Sequence, residues 1–336
     1  MKRDLSGHFL ASEYALIDRW FPRAVQRFKL TANRNSMNQK APIVGALAHA
    51  GIVSTAARRA RVAGYQSARL ISWAGGRFPA GTRDEGEHEF AFLQYEERVP
   101  LLRTDEDVNA ELEAGKRHNV ALAAPAFDGL VLNCAQPLSF WRTVGRISAA
   151  GGFVAGMELR GGCVVPAVGG GICLISNALF AAAVRCGWTI LERHGHSLEA
   201  MPTEAGHVWG LDATVFWPHV DLVVAPESGQ ARLTVRVEGD ELLIRVHSTE
   251  PLSEIVTVWS EAERVVQTPD GAVHEGRVIR RRADGANRRL REDVVATNRK
   301  RVVDPSKRRS CYDCDMDDCH TGRSARRAPR AWTDLV

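Results

Sequence analysis

Three consecutive glycines, Gly169-Gly170-Gly171, run into a stretch that opens at Cys173 and closes at Gly187. Between those points Ile175, Leu179, Ala182, Ala183 and Cys186 recur at helical spacing, and Gly187 is a natural helix stop. A glycine triplet lets the backbone turn tightly and present its N–H groups. The spacing therefore predicts a tight turn feeding a helix, with Cys173 in the first turn. There, backbone N–H groups without an intrahelical acceptor and the positive end of the helix dipole favour a thiolate.

Two strand-like runs follow. The first carries Glu192-Arg193-His194-Gly195-His196 and the second Gly210-Leu211-Asp212-Ala213-Thr214-Val215. Glu192, His194 and His196 alternate by two, which on a strand puts all three side chains on one face. Cysteine on a helix, histidine on a strand and aspartate on the next can supply a nucleophile, a base and an orienting carboxylate. In that reading Cys173 attacks, His194 or His196 is the base, and Asp212 orients it, with Glu192 beside them. The N–H groups near Gly169, Gly170 and Gly171 would serve a developing oxyanion. Cys173, His194 and His196 could instead share a metal, and Cys173 could be a small buried hydrophobe. From the residues, all three readings stand.

The rest of the chain sorts into three regions. Residues 1–118 form a helical or mixed region. Glu13 to Leu30 has helical spacing with Leu16, Trp20, Val25 and Phe28 set apart from Arg19, Arg23 and Arg27, interrupted by Pro22. Such a segment packs onto the main domain or rests peripherally on a membrane. Ala41 to Gly64 reads as a helix, Ala68 to Trp73 and Glu89 to Tyr95 as extended runs, and Asp105 to Ala124 as a helix. Residues 119–304 form the main domain. Within it Ala231–Val237 and Glu241–His247 flank Glu238-Gly239-Asp240, a hairpin signal, and alternating Arg-rich runs from Ser260 to Asp304 predict further strands. Residues 305–336 form a basic tail rich in Cys and Asp. The fold class expected is α+β: N-terminal helices, a central Cys-bearing helix packed on a mainly antiparallel sheet, and the tail.

Charge is unevenly spread. From Gly276 onward there are 17 Lys/Arg against 9 Asp/Glu, and before it 27 against 31. Without interleaved aromatics the basic part reads as a solvated face rather than a nucleic-acid surface. No apolar run approaches the roughly 20 residues that cross a bilayer, and Met1–Leu10 has no leader pattern, so a cytoplasmic protein is expected. Seven cysteines, an odd number, suit free thiols and ligands better than a disulfide framework. Cys134 and Cys163 read as buried or incidental, and His207 and His219 as ordinary histidines that could join a metal site. No G-x-x-x-x-G-K-[ST] loop, strand-linked G-x-G-x-x-G or G-x-S-x-G elbow occurs, which argues against phosphate binding and serine hydrolysis.

The tail reads Cys311-Tyr-Asp-Cys314-Asp-Met-Asp-Asp-Cys319-His320. Cys311, Cys314 and Cys319 with His320 could complete a tetrahedral zinc site, although adjacent Cys319 and His320 do not easily face one ion. The three cysteines could instead hold an iron–sulfur cluster, or do nothing specific.

The run from Pro166 to Phe180, with Glu192-Arg-His-Gly-His, Gly210-Leu-Asp-Ala-Thr-Val and Pro137-Leu-Ser-Phe-Trp141, resembles the VanW-like family over about residues 119–250. The resemblance carries over to Ser139, Phe140, Trp141, Gly169, Gly170, Gly171, Cys173, Ser176, Glu192, His194, His196, Asp212 and Thr214. Of these, Ser139, Trp141, Ser176 and the three glycines are expected on the substrate or oxyanion side. The family is named for an accessory protein encoded beside vancomycin-resistance enzymes, so the resemblance implies a fold and a cell-wall context rather than a reaction. Two departures are local: Leu174 stands where the family has Gln, and the tail cysteines are additional. Together these features suggest thiol-dependent chemistry on an amide or acyl group of a peptide-like or cell-wall precursor. The alternatives are a metal-binding accessory and a non-catalytic peptidoglycan-precursor binding protein.

Overall fold

The computed structural model describes residues 60–78, 81–83, 89–102, 109–160, 163–199, 207–269 and 271–302. Contacts divide the chain into Met1–Gly64 and Tyr65–Val336. Of the first unit only the helical residues 60–64 are described, and the account below concerns the second. The Glu13–Leu30 segment and the tail from residue 303, with Cys311, Cys314, Cys319 and His320, lie outside the described residues.

The fold is α+β. Its helices are α1 (residues 65–74 in this unit), α2 (Ala110–Ala123), α3 (Phe140–Val144) and α4 (Cys173–Arg185). One sheet joins β1 (Thr82–Arg83), β3 (Leu130–Leu132), β10 (Ala231–Glu238), β11 (Glu241–Ser248) and β2 (Phe92–Pro100) in that spatial order. All its pairings are antiparallel. The β10–β11 hairpin turns at Gly239-Asp240, with Glu238 opposite Glu241, as the local sequence predicts. A second sheet places β12 (Ile255–Thr268), β13 (Gly271–Ala283), β14 (Arg289–Val302) and the short β8 (Leu198–Glu199) side by side. Only the β14–β8 pair in it is parallel. Smaller pieces are β4 (Leu138–Ser139), β9 (Val223–Ala225) and β7 (Thr189–Glu192), and the ribbon β5 (Ala155–Arg160) with β6 (Cys163–Val168).

Helix α4 is the centre of the unit. Ile175, Ser176 and every residue from Ala178 to Val184 are buried, so it is apolar almost all round, as a helix enclosed by other elements must be. It packs against β2, β11, β9, β7 and β12. Its end is a Schellman motif: Gly187 has φ +75°, its N–H donates to Val184, and the Trp188 N–H donates to Ala183.

Two sequence expectations are corrected. Ala68–Trp73 is helical rather than extended. A run that short does not distinguish the two periods, and the helix ends where Gly75 donates to Ile71 and Gly76 takes a positive φ. The stretch from Arg193 to Ser197 and that from Leu211 to Val215 are not strands either. Side-chain anchors hold them in place of ladder bonds, and those anchors build the site.

Candidate functional site

The turn before α4 depends on close backbone packing. A Cβ on Gly170 would lie 2.3 Å from the carbonyl carbon and oxygen of Gly156 on β5, so no side chain fits. Asn119 of α2, fully buried, donates to the Gly170 and Val154 carbonyls at 3.0 Å each and accepts from the Val154 N–H at 2.9 Å. The triplet is thus clamped between α2 and β5, and the chain enters α4 with Cys173 as its first residue. The Cys173 side chain is partly exposed.

Polar groups gather around Cys173. The His196 ring is close enough to lower the pKa of its thiol, and Sγ lies 3.9 Å from Thr214 Oγ1. His196 Nδ1 lies 2.6 Å from Asp212 Oδ2, which leaves the other ring nitrogen for the thiol. The His196 main-chain N–H donates to the same Oδ2 at 2.9 Å. Asp212 Oδ1 is held by Lys300 Nζ at 2.6 Å and by the Arg193 guanidinium at 3.4 Å. Thus the structure brings Cys173, His196 and Asp212 together.

The electrostatics of the three are coupled. Burial by itself raises the Cys173 thiol, but His196, with the Val215 backbone and Thr214, outweighs it and holds the thiol below its ordinary value. Burial likewise opposes an imidazolium at His196, yet Asp212 and Cys173 push its pKa up to about 9. Asp212, despite burial, lies well below the usual carboxylate range because His196, Lys300 and Arg193 surround it. Each direction favours the charged form of its group: thiolate, imidazolium and carboxylate.

His194 belongs to a different centre. Glu192, His194 and His196 do not line one strand, because the chain leaves β7 at Glu192 and the next residues are not pleated. His194 Nε2 lies 3.2 Å from Glu192 Oε1, which also accepts from Arg69 and from the Asp221 N–H. Burial opposes ionised Glu192, but His194 and Arg69 hold its pKa down. Asp221 is fully buried. It accepts from Ser139 Oγ at 2.6 Å and from the Trp141 and Leu222 N–H groups at 3.1 and 2.9 Å. Ser139 and Trp141 therefore brace this second centre, with Trp141 Nε1 donating to Val220 at 2.8 Å.

Ser176, expected on the substrate side, is fully buried and donates to the Ala213 and Cys173 carbonyls at 2.7 and 3.1 Å. Its role is to fasten α4 to the Asp212 segment. Cys134, expected to be buried or incidental, is exposed. Among the described residues no three His, Cys, Asp or Glu side chains are grouped to hold a metal. The Cys173–His194–His196 metal arrangement therefore does not form.

Sequence reasoning missed Arg193, Asn298 and Lys300. Arg193 lies inside the histidine motif and braces the bend: its Nε donates to the Asp212 carbonyl at 2.6 Å and its NH2 to Gly210 at 2.9 Å and Asn298 at 2.8 Å. Asn298 in turn donates to the Gly210 carbonyl at 3.1 Å. Asn298 and Lys300 alternate with arginines on β14, and only their contacts distinguish them from those neighbours.

The family described as VanW like protein matches residues 115–247. Vancomycin B-type resistance protein VanW of Enterococcus faecalis is 23% identical over 58% of this chain and 72% of its own length. The uncharacterized protein YoaR of Bacillus subtilis is 29% identical over 41% of this chain and 45% of its own length. No solved structure matches the chain. No helix among the described residues is long and apolar enough to cross a membrane. The family match at residues 115–247, four sequence blocks in order and these two relatives make the chain similar to the VanW-like family.

Proposed function

We propose that this protein carries out thiol-dependent chemistry on an amide or acyl group, with Cys173 as nucleophile, His196 as acid–base group and Asp212 as its orienting carboxylate. The observation that carries this reading is the His196–Asp212 pair at 2.6 Å beside Cys173, the first residue of α4. In the first step the Cys173 thiolate attacks the carbonyl carbon and the carbonyl oxygen takes the negative charge. The positive end of the α4 dipole would favour that charge. The His196 imidazolium then protonates the departing amine as the C–N bond breaks, leaving a thioester and a neutral imidazole. Water or an acceptor amine attacks the thioester while His196 takes its proton, which restores the thiolate–imidazolium pair. The relative named for vancomycin resistance supports a peptide-like, cell-wall substrate.

The test is the pH dependence of Cys173 alkylation, followed by peptide mass spectrometry. The wild-type midpoint is expected well below the free-thiol value of about 8.5, and His196→Ala should return it toward that value. A wild-type Cys173 that titrates like a free thiol, or that resists alkylation at every pH, would exclude the nucleophile reading and leave a binding protein.

A further inference from the structure

We propose that Lys300 is a positioning residue of this site, holding one oxygen of Asp212 so that the other is reserved for His196. The inference rests on the Cys173–His196–Asp212 reading and assigns a fourth member to it. Asp212 Oδ2 takes both donors of His196, the main-chain N–H at 2.9 Å and Nδ1 at 2.6 Å. Oδ1 takes Lys300 Nζ at 2.6 Å. Arg193 reaches Oδ1 only at 3.4 Å, because its closer bonds go to the Asp212 and Gly210 carbonyls and to Asn298. Among the described residues Lys300 is therefore the short contact on that oxygen.

Lys300 is itself fixed in place. It is buried, and its ammonium sits 5.2 Å from the centre of the Trp209 ring. His274 also packs on that indole, 4.2 Å from Trp209 between ring centres, and pairs with Glu199 at 2.7 Å and Glu263 at 3.6 Å. The charged and titratable groups around Lys300 are thus Asp212, Arg193, His196 and Cys173, and, at the Trp209 ring, His274, Glu199 and Glu263. Lys300 stands on β14, beyond the segment 115–247 that the family shares, so a strand outside that segment completes the site.

Two roles for Lys300 predict opposite signs. Acting only as a nearby cation, it repels an imidazolium, and its removal would raise the His196 midpoint. Acting as the holder of Asp212, it keeps the carboxylate aligned, and its removal lets the carboxylate rotate away and lowers that midpoint. The experiment is an NMR titration of the His196 ring in the full chain, wild type against Lys300→Met, with the alkylation profile of Cys173 recorded on the same samples. The His196 midpoint is expected to fall by about one pH unit or more toward the ordinary value of about 6.5, and the Cys173 midpoint to rise. Lys300→Arg, which keeps the charge, should stay nearer the wild type. In an Asp212→Asn background Lys300→Met should add nothing, since the group it positions is gone. A His196 midpoint that rises or does not move overturns the proposal. Circular dichroism and melting report folding, and Lys300→Gln is read in the same way where Lys300→Met does not fold. Because the His196 titration reads Lys300 whether or not Cys173 reacts, an ordinary thiol in the wild type would end the nucleophile reading without deciding this one.

Discussion

The two histidines of the Glu192–His196 motif differ only by two positions, yet the contacts give them different work. His196 pairs with Asp212 beside Cys173, whereas His194 pairs with Glu192. Asp212→Asn should therefore lower the rate of Cys173 alkylation at pH 7 and move its midpoint up toward about 8.5, while His194→Ala should leave both close to wild type. Competition labelling across pH 5 to 10 checks the pair; equal effects from the two variants would contradict the assignment. Asp221 makes a separate prediction. Burial pushes its pKa up to about 6 from an ordinary 3.8, so the folded state holds its proton more tightly than the unfolded chain. That contribution to stability is fully present below pH 3.8 and is lost as pH rises toward 6. Comparing denaturant unfolding of wild type and Asp221→Asn, the difference should shift against the wild type by on the order of 2–3 kcal/mol across that interval.

Helix α4 and the turn before it are legible because their signals are local. Glycines, helical spacing and a stop at Gly187 all concern neighbours in sequence, and each has its counterpart in the structure. The reason for the triplet is not local. Gly170 is required by the backbone of Gly156, and Gly171, at φ +93°, has the Lys116 side chain where a Cβ would stand. Gly170→Ala should cost about 3 kcal/mol or more, because main chain rather than a flexible side-chain tip must move. Thermal melts should show that loss, together with a Cys173 midpoint closer to that of a free thiol as the start of α4 shifts. The strand expectation for residues 193–197 and 211–215 failed because an alternating pattern is also produced by two irregular segments pinned to each other. Thr214 donates to the His194 carbonyl at 2.8 Å, and Arg193 and Asn298 satisfy carbonyls that a ladder would otherwise use.

Across the whole unit, the long strands β12–β14 do more than extend the sheet. Arg280 of β13 is buried, pairs with Asp293 of β14 at 2.8 and 3.1 Å, and donates to the Trp188 carbonyl at 2.6 Å just past the end of α4. Arg282 likewise donates to the Gly187 carbonyl at 2.6 Å and pairs with Glu227. These contacts tie the second sheet to one end of α4 while Lys300 and Asn298 reach the site. Asp293→Ala would leave the buried Arg280 guanidinium without its carboxylate and should destabilise the unit by about 3 kcal/mol in denaturant unfolding. An Arg280→Met, Asp293→Ala double variant should recover part of that loss, since the uncompensated charge is then absent.

What the sequence by itself determined is the set of short-range decisions: a glycine turn into a capped helix, the β10–β11 hairpin, a mixed α+β composition, and the candidate trio of thiol, imidazole and carboxylate. Its blocks also resemble the VanW-like family. Tertiary structure alone decided that His196 rather than His194 pairs with Asp212, that Ser139 and Trp141 brace Asp221, that Ser176 is an internal fastener, and that Arg193, Asn298 and Lys300 belong to the site. The physical reason is distance along the chain. Backbone propensity and capping act over a few residues, whereas Asp212 meets Lys300 across 88 positions, and Asn119 meets Gly170 across 51. Such meetings are set by how sheets and helices bury their apolar faces together, and a single side chain in a run of alternating charges carries no mark of them.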